Sequence, residues 1–578
     1  MLTIRQTLEN LLSSVIADIS GIADSPALVI PSSRQEFGDY QANGVMSLAK
    51  RMACKPRDLA QRIVSAIPAH PLLAKAEVAG PGFINLFLAE AELCDRLLAL
   101  SEKPENLVVR TTTPKRIVVD YSSPNLAKEM HVGHLRGTII GDCLARVLEA
   151  SGHSVIRQNH VGDWGTQFGM LIAHMESLQQ EGADPGASLS DLELFYRQAK
   201  QRFDLDQDFA TTARQYVVKL QQGDKRCLEI WQHFINESLH HCEEIYKLLN
   251  VNLQRKDLRP ESFYNDELPK VVALLAEKNL LQESEGAKCV FAEGFTGKDG
   301  SPLPTIVQKQ DGGYLYATTD LAAVAFRCTQ LSAERILYVV DARQSLHFQQ
   351  LFAIARMAQL AGPECSLEHI AYGTMMGADG RPFKTRSGDT VKLKELLEES
   401  IRRAHALLTE KNSVLDEASR AVVAEKVGIA AVKYSDLAKN RTSDYVFDWN
   451  SMLSFEGNTA PYMLYAYARI RSILRKARVQ AGASDAILLQ AQEERQLAVK
   501  LLQFSEAVHA VATECYPNYL CQYLYELAGL FMRFYENCPI LKTEDKQIRN
   551  SRLKLADLTA KTLQQGLDLL GIETLEQM

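Results

Sequence analysis

The sequence predicts an α/β protein organised around an open parallel sheet, with an α+β module before it and an all-helical region after it. Three observations predict this. Two strand–helix–strand patterns stand far apart in the chain, the polar stretch between them has helical periodicity, and everything after Asn450 carries helical periodicity alone. At 578 residues the chain is also too long for one hydrophobic core. Such cores stop growing near roughly 250–300 residues, so several domains are expected.

Leu8, Leu11, Leu12, Val15, Ile16 and Ile19 mark one face of a first helix. Phe37-Gly38-Asp39-Tyr40 is a turn, and Gly82-Phe83-Ile84-Asn85-Leu86-Phe87-Leu88 has strand composition, which together give an independent module over 1–112. Thr111-Thr112-Thr113-Pro114-Lys115 disfavours helix and acts as a linker. The α/β domain, 113–375, opens with a strand at Ile117–Tyr121. A helix follows over Leu135–Ala150, with apolar residues at 139, 140, 144, 147 and 148, and then a strand at Val155-Ile156-Arg157. Its second half is a strand at Arg335–Asp341, a helix from about Leu346 to Leu360 and a strand at Ile370-Ala371-Tyr372-Gly373. An insertion of about 175–310 separates the halves, polar and helical to about 262 and rich in Pro and Gly turns over 293–313. A connecting region, 376–450, leads to the helical domain, 451–578, with helices near 458–480, 493–513, 517–536 and 551–570.

Composition excludes several classes. Hydrophobic residues at 46% and charged residues at 23% fit neither a disordered nor a collagen-like chain. A net charge of −7 means that any nucleic acid must be met by a local basic patch. The 11 cysteines are odd in number and form no C-x-x-C pair, which points to a reducing cytoplasm and no zinc framework. The first helix carries Glu9 and Asp18, unlike a signal peptide, and no apolar run is long enough for a bilayer. The expectation is a cytoplasmic protein, not bound to membranes, whose fold starts at residue 1.

Chemistry concentrates in Ser123-Pro124-Asn125-Leu126-Ala127-Lys128-Glu129-Met130-His131-Val132-Gly133-His134, between a parallel strand and its helix. Backbone N–H groups at that helix start offer donors and partial positive charge to an anion. His131 and His134 lie three residues apart on one helical face and can donate to phosphate oxygens, and Gly133 leaves room for a base or ribose. An isolated H-x-G-H is more simply a pair of capping histidines. The preceding strand, the Pro-Asn turn and the matching second half turn the balance to a nucleoside triphosphate, and no P-loop or strand-following G-x-G-x-x-G competes.

On these residues the chain resembles the class I aminoacyl-tRNA synthetases, whose HIGH motif occupies this place, and within them the arginyl family of bacterial type. The resemblance covers essentially the whole chain. It rests on Asp120-Tyr121-Ser122-Ser123-Pro124-Asn125 leading into His131-Val132-Gly133-His134, on His160-Val161-Gly162-Asp163-Trp164-Gly165-Thr166-Gln167-Phe168-Gly169, and on Gly313-Tyr314-Leu315-Tyr316-Ala317-Thr318-Thr319-Asp320. Asn458 to Arg471 and Phe534-Tyr535-Glu536-Asn537-Cys538-Pro539 resemble the family's helical anticodon-binding domain.

The resemblance implies a Rossmann-like catalytic domain with a helical insertion, an added N-terminal domain that touches the tRNA elbow, and an all-α anticodon-binding bundle. It implies ligation of L-arginine to tRNA(Arg), with ATP as substrate accompanied by Mg²⁺, no tightly bound protein metal, and a monomer. Arginine would be held by Asp120, Asn125, Tyr316, Asp320 and Gln344, the carboxylates matching a planar guanidinium. ATP would be held by His131, Gly133, His134, Lys384 and Arg386. In place of the KMSKS loop, the connecting region 376–450 has Arg381-Pro382-Phe383-Lys384-Thr385-Arg386-Ser387-Gly388, without a counterpart of the second lysine. Arg386 or Lys128 supplies that charge, and both join His131 and His134 as candidate catalytic groups.

Residues 465–480 hold Arg469, Arg471, Arg475, Lys476 and Arg478 and no acid, beside Tyr462, Tyr465 and Tyr467. Tyr467, Arg471, Arg475 and Arg478 share a helical face, a pattern that suits phosphates and an unstacked base. Together with Tyr462 they are the candidate tRNA-binding residues. Buried tyrosines beside solvated arginines are the plainer alternative. Two other functions stand beside the synthetase: a different nucleotidyl transferase, which would explain the H-x-G-H site alone, and a non-catalytic RNA-binding relative, which would explain the helical region alone.

Overall fold

A computed structural model describes residues 2–32, 34–182, 192–383, 391–411, 416–477 and 486–578. In chain order the N-terminal part comprises α1 (Ile4–Ser20), β1 (Val29–Pro31), β2 (Tyr40–Ala42), α2 (Val45–Arg51), α3 (Pro56–Ala66), β3 (Leu73–Ala79), β4 (Phe83–Leu88) and α4 (Glu90–Glu102). Thr3 and Gln6 form a capping box that starts α1, and Gly21 ends it in the left-handed region. The strands form an antiparallel sheet in the order β1-β2-β4-β3.

The central part contains β5 (Arg116–Asp120), α5 (Leu135–Ala150), β6 (Ser154–Gln158), α6 (Thr166–Gln180), α7 (Leu192–Leu205), α8 (Gln207–Gln221), α9 (Lys225–Leu248), α10 (Leu268–Glu277), β7 (Leu281–Ser284), β8 (Ala287–Val290) and β9 (Thr305–Gln308). There follow α11 (Tyr316–Thr329), β10 (Arg335–Tyr338), α12 (Ser345–Met357), β11 (Ser366–His369), β12 (Met375–Met376), α13 (Leu393–Lys411), α14 (Glu417–Leu437), β13 (Tyr445–Val446) and α15 (Trp449–Met452). The C-terminal part is α16 (Ala460–Ala477), α17 (Gln492–Leu502), α18 (Phe504–Glu514), α19 (Asn518–Asn537) and α20 (Lys546–Leu569).

The central sheet runs β11-β10-β5-β6, with every pair parallel. Chain order therefore reverses between β5 and β10, and the carboxyl ends of those neighbours open the crevice in which open α/β folds bind ligands. Asp120 lies opposite Tyr338 at that edge. Leu321, Val324, Leu351 and Ile354 of α11 and α12 pack with Val118 and Ile336 in one buried cluster.

Three elements differ from the sequence reading. The last parallel strand is Ser366–His369, ahead of the apolar run at 370–373. Arg335 of β10 grips Glu368 across the ladder at 2.7 Å, so a polar edge strand does the pairing. The helix expected over 493–513 breaks at Gln503, which ends α17 and starts α18. The insertion also contains a small antiparallel sheet, β7-β8-β9, that its turn-rich composition concealed.

The chain divides into two compact units, one of residues 1–111, 454–569 and 573–578, the other of 112–453 and 570–572. In the first, the N-terminal part is therefore not free-standing. Arg495 of α17 holds Asp39 through two parallel hydrogen bonds of 2.7 Å. Glu506 Oε1 accepts the Arg5 N–H at 2.8 Å and the Tyr40 hydroxyl at 2.9 Å.

Candidate active site

The turn between β5 and α5 is built by an unusual backbone. Ser122 and Ser123 both take positive φ, 72° and 45°. Non-glycine residues persist there only where their surroundings over-determine them, most often at functional sites. Ser122 Oγ lies 2.8 Å from the Tyr246 hydroxyl, and the Ser123 N–H donates to Asn159 Oδ1 at 2.9 Å. Asn159 in turn donates to Tyr246 at 3.0 Å. The Leu126 N–H donates to Gly162 O at 2.9 Å, while Gly162 N–H donates to Pro124 O at 3.1 Å, so exposed Asn125 is laid beside the 160–169 motif. A Cβ at Gly162 would meet Asn125 Oδ1 at 2.3 Å, which explains the glycine.

His131 stands outside the helix as the cap of a short turn, Val132–His134, that feeds α5, a difference from the shared helical face expected above. Its Nδ1 accepts the Gly133 N–H at 3.0 Å, and His134 Nδ1 accepts the His131 N–H at 3.1 Å. With both Nδ1 lone pairs engaged, the neutral rings carry their protons on Nε2. Burial lowers the His131 pKa, aided by Lys128 and Arg343, and it pushes His134 down to about 3, aided by His131. The pair thus offers two uncharged N–H donors, with ring centroids 4.0 Å apart. Gly133 is small for a closer reason than the room for ribose: a Cβ there would strike His131 Cε1 at 2.7 Å. The Lys128 ammonium rests 4.2 Å from the ring centre of Tyr196 on α7.

Val132 N–H donates to Val391 O and Leu393 N–H to Met130 O, which ties the connecting region to the histidine motif. Lys384 and Arg386 lie outside the described residues.

At the start of α11, Tyr316 is 60% exposed. Asp320 Oδ2 lies 2.6 Å from His347 Nε2, and Oδ1 lies 3.6 Å from His160 Nε2. Beside them burial raises the Glu261 pKa to about 7; His160 opposes the rise, and Asp163 and Asp320 add to it. Gln344 is exposed at the end of a short turn before α12, next to an Arg343–Asp341 pair of 2.7 Å.

Asp120 departs from its expected place in a guanidinium pocket. It is 5% exposed, and its Oδ2 accepts from Arg327 Nη2 at 2.7 Å. Arg327 Nε donates to Gln158 Oε1 at 2.6 Å, and the guanidinium lies over the Tyr338 ring. The acid is thus neutralised by the chain's own arginine. Tyr467 also departs from expectation. It is 2% exposed and donates to Glu576 Oε1 at 3.1 Å, which leaves no ring face for a base. Arg471 and Arg475 reach the other Glu576 oxygen at 3.0 and 3.3 Å and remain partly exposed. Tyr462 is half-buried, its ring edge-on to Tyr525, and Arg478 lies outside the described residues. Sequence reasoning missed Glu261, Arg327 and His347, each a single polar residue inside or beside a helix. His160 stands in a quoted motif, but nothing in the sequence alone assigned it a role beside Asp320.

A parallel sheet with a switch point, paired imidazole donors at the first crossover helix and a separate helical bundle define a class I aminoacyl-tRNA synthetase. The profile described as "tRNA synthetases class I (R), catalytic domain" matches residues 97–449. The DALR anticodon binding domain matches 463–578, and the arginyl tRNA synthetase N terminal domain matches 4–88. Proteins named arginine–tRNA ligase from Marinomonas sp. and Chromobacterium violaceum are 56% and 54% identical, covering 99% and 100% of this chain and 100% of their own. The solved arginyl-tRNA synthetases of Plasmodium falciparum and Thermus thermophilus superpose with TM-scores of 0.86 and 0.84, at 29% and 28% identity, over 100% of both chains. The chain belongs to the arginyl-tRNA synthetase family.

Proposed function

We propose a residue-level account of the reaction that family membership assigns: L-arginine is activated by ATP and then transferred to the 3′ end of tRNA(Arg). A carboxylate oxygen of arginine attacks the α-phosphorus of ATP, the bond to the bridging oxygen breaks, and pyrophosphate leaves. A terminal ribose hydroxyl of tRNA then attacks the acyl carbon and AMP departs. Positioning and charge neutralisation supply most of the acceleration in such chemistry.

In this reading His131 and His134 donate from Nε2 to α-phosphate oxygens, with Gly133 keeping the His131 ring in place. Lys128, Lys384 and Arg386 meet the pyrophosphate. Imidazole and backbone N–H donors suit phosphate oxygens better than a hard cation, so Mg²⁺ would arrive on the nucleotide. Asp320, Glu261 and Tyr316 face the guanidinium, while Asn125 and Gln344 take the amino and carboxylate end. Asp120 acts one layer back, through Arg327. On the helical bundle, Tyr462, Arg471 and Arg475 meet tRNA, the arginines by exchanging Glu576 for phosphate. The protein works as a cytoplasmic monomer; among the described residues no helix is long and apolar enough to cross a membrane.

The observation that carries the reading is the crevice itself, with neutral imidazole donors at the first crossover and a carboxylate group around Asp320 at the second. The test is pyrophosphate exchange into ATP with each amino acid, with and without total tRNA. Exchange specific to arginine is expected; none with any amino acid under either condition, while ATP still binds, would overturn it.

A further inference from the structure

His347 is placed against both candidate guanidinium contacts of α11. Its Nε2 lies 2.6 Å from Asp320 Oδ2, and its ring meets the Tyr316 ring edge-on, with centroids 4.9 Å apart and planes at 67°. The ring is itself wedged against Phe348, at 5.2 Å between centroids, which belongs to the buried cluster under α12. His347 is thus held by the core and reaches out to the pocket.

The bond to Oδ2 has a directional consequence. A carboxylate turns easily about its last torsion, and a turned carboxylate no longer presents the fork that a guanidinium requires. Donation from Nε2 engages one oxygen and fixes the plane, leaving Oδ1 on the side of His160, 3.6 Å from its Nε2. Edge contact with the same imidazole fixes the Tyr316 ring, which is otherwise largely exposed.

We propose that His347 is a positioning residue for amino-acid recognition: it holds the Asp320 carboxylate and the Tyr316 ring in the arrangement that accepts a planar guanidinium, without touching the substrate. The proposal rests on the assignment of Asp320 to the arginine pocket. Preorganisation of this kind appears in substrate affinity and leaves the phosphate chemistry alone.

Pyrophosphate exchange with tRNA present, on the full chain, tests it through His347→Phe, which keeps a ring and deletes the donor, and His347→Gln, whose amide nitrogen can occupy the place of Nε2. The Phe variant should raise KM for arginine roughly ten- to a hundredfold, the range of one hydrogen bond to a charged group, with KM for ATP and kcat nearly unchanged. The Gln variant should recover most of the loss. Adding His347→Phe to Asp320→Asn should cost little more, because both remove one interaction. Fully additive effects, an equal rise in KM for ATP, or failure of Gln to do better than Phe at equal melting temperature would overturn the proposal. If Asp320→Asn alone leaves KM for arginine unchanged, the pocket assignment itself falls.

Discussion

The buried pair of Asp120 and Arg327 yields the sharpest test, because the sequence and the structure give Asp120 different work. Arg327 is 0% exposed, and its charge is met by Asp120 at 2.7 Å, with Gln158 as a neutral second partner. Asp120→Asn keeps the shape and removes the charge, leaving a guanidinium in the core without a counter-ion. Breaking such a pair costs about 3–5 kcal/mol. Over a unit of this size that lowers the melting temperature by roughly 4–7 °C. Replacing both partners, Asp120→Asn with Arg327→Met, should restore much of the loss, since an apolar substitute needs no desolvated charge. Calorimetry on the three variants, beside KM for arginine from pyrophosphate exchange, separates the alternatives. A variant Asp120→Asn that melts like the parent yet loses arginine affinity a hundredfold would refute the argument and return Asp120 to the substrate.

Three further outcomes are expected. With its pKa raised to about 7, Glu261 must lose a proton to face a guanidinium, so arginine affinity should rise about tenfold from pH 6 to pH 8 with proton release, and Glu261→Gln should flatten that profile in calorimetric titrations. Gly133→Ala pushes a Cβ to 2.7 Å from His131 and should slow adenylate formation about a hundredfold in single-turnover assays, with unchanged melting. Burial raises Glu506 to about 7 from 4.5, so the folded state binds the extra proton between those values. Its stabilising contribution is complete below about pH 4.5 and is lost as pH rises through 7, so Glu506→Gln should gain on the parent by up to about 3 kcal/mol between pH 5 and pH 8, read from denaturant midpoints.

Much of the fold was legible because it is written in local patterns. The bounds of the helix over Leu135–Ala150 follow from the sequence, since its apolar spacing is a property of contiguous residues. The strand at Ser366–His369 was not, because an edge strand held by an arginine–glutamate pair lacks the apolar run that marks a strand. The same limit applies to the site. His131, Gly133 and His134 stand together in the chain and could be read as a unit. The Arg327–Asp120 pair joins residues 207 positions apart, and the Arg495–Asp39 pair joins residues 456 apart, so neither acid could be assigned its partner beforehand.

The sequence by itself determined the class of chemistry, the order of the domains and the place of the histidine motif, because these depend on neighbours along the chain and on motifs long enough to be specific. Only the tertiary structure decided how the polar groups are shared: Asp120 neutralised by Arg327, Asp320 held by His347, Tyr467 buried with its hydroxyl on Glu576. A carboxylate or a ring has the same letter whether it is free or engaged. What separates the two states is desolvation and the nearest opposite charge, and both are set by residues that the fold, rather than the sequence, brings close.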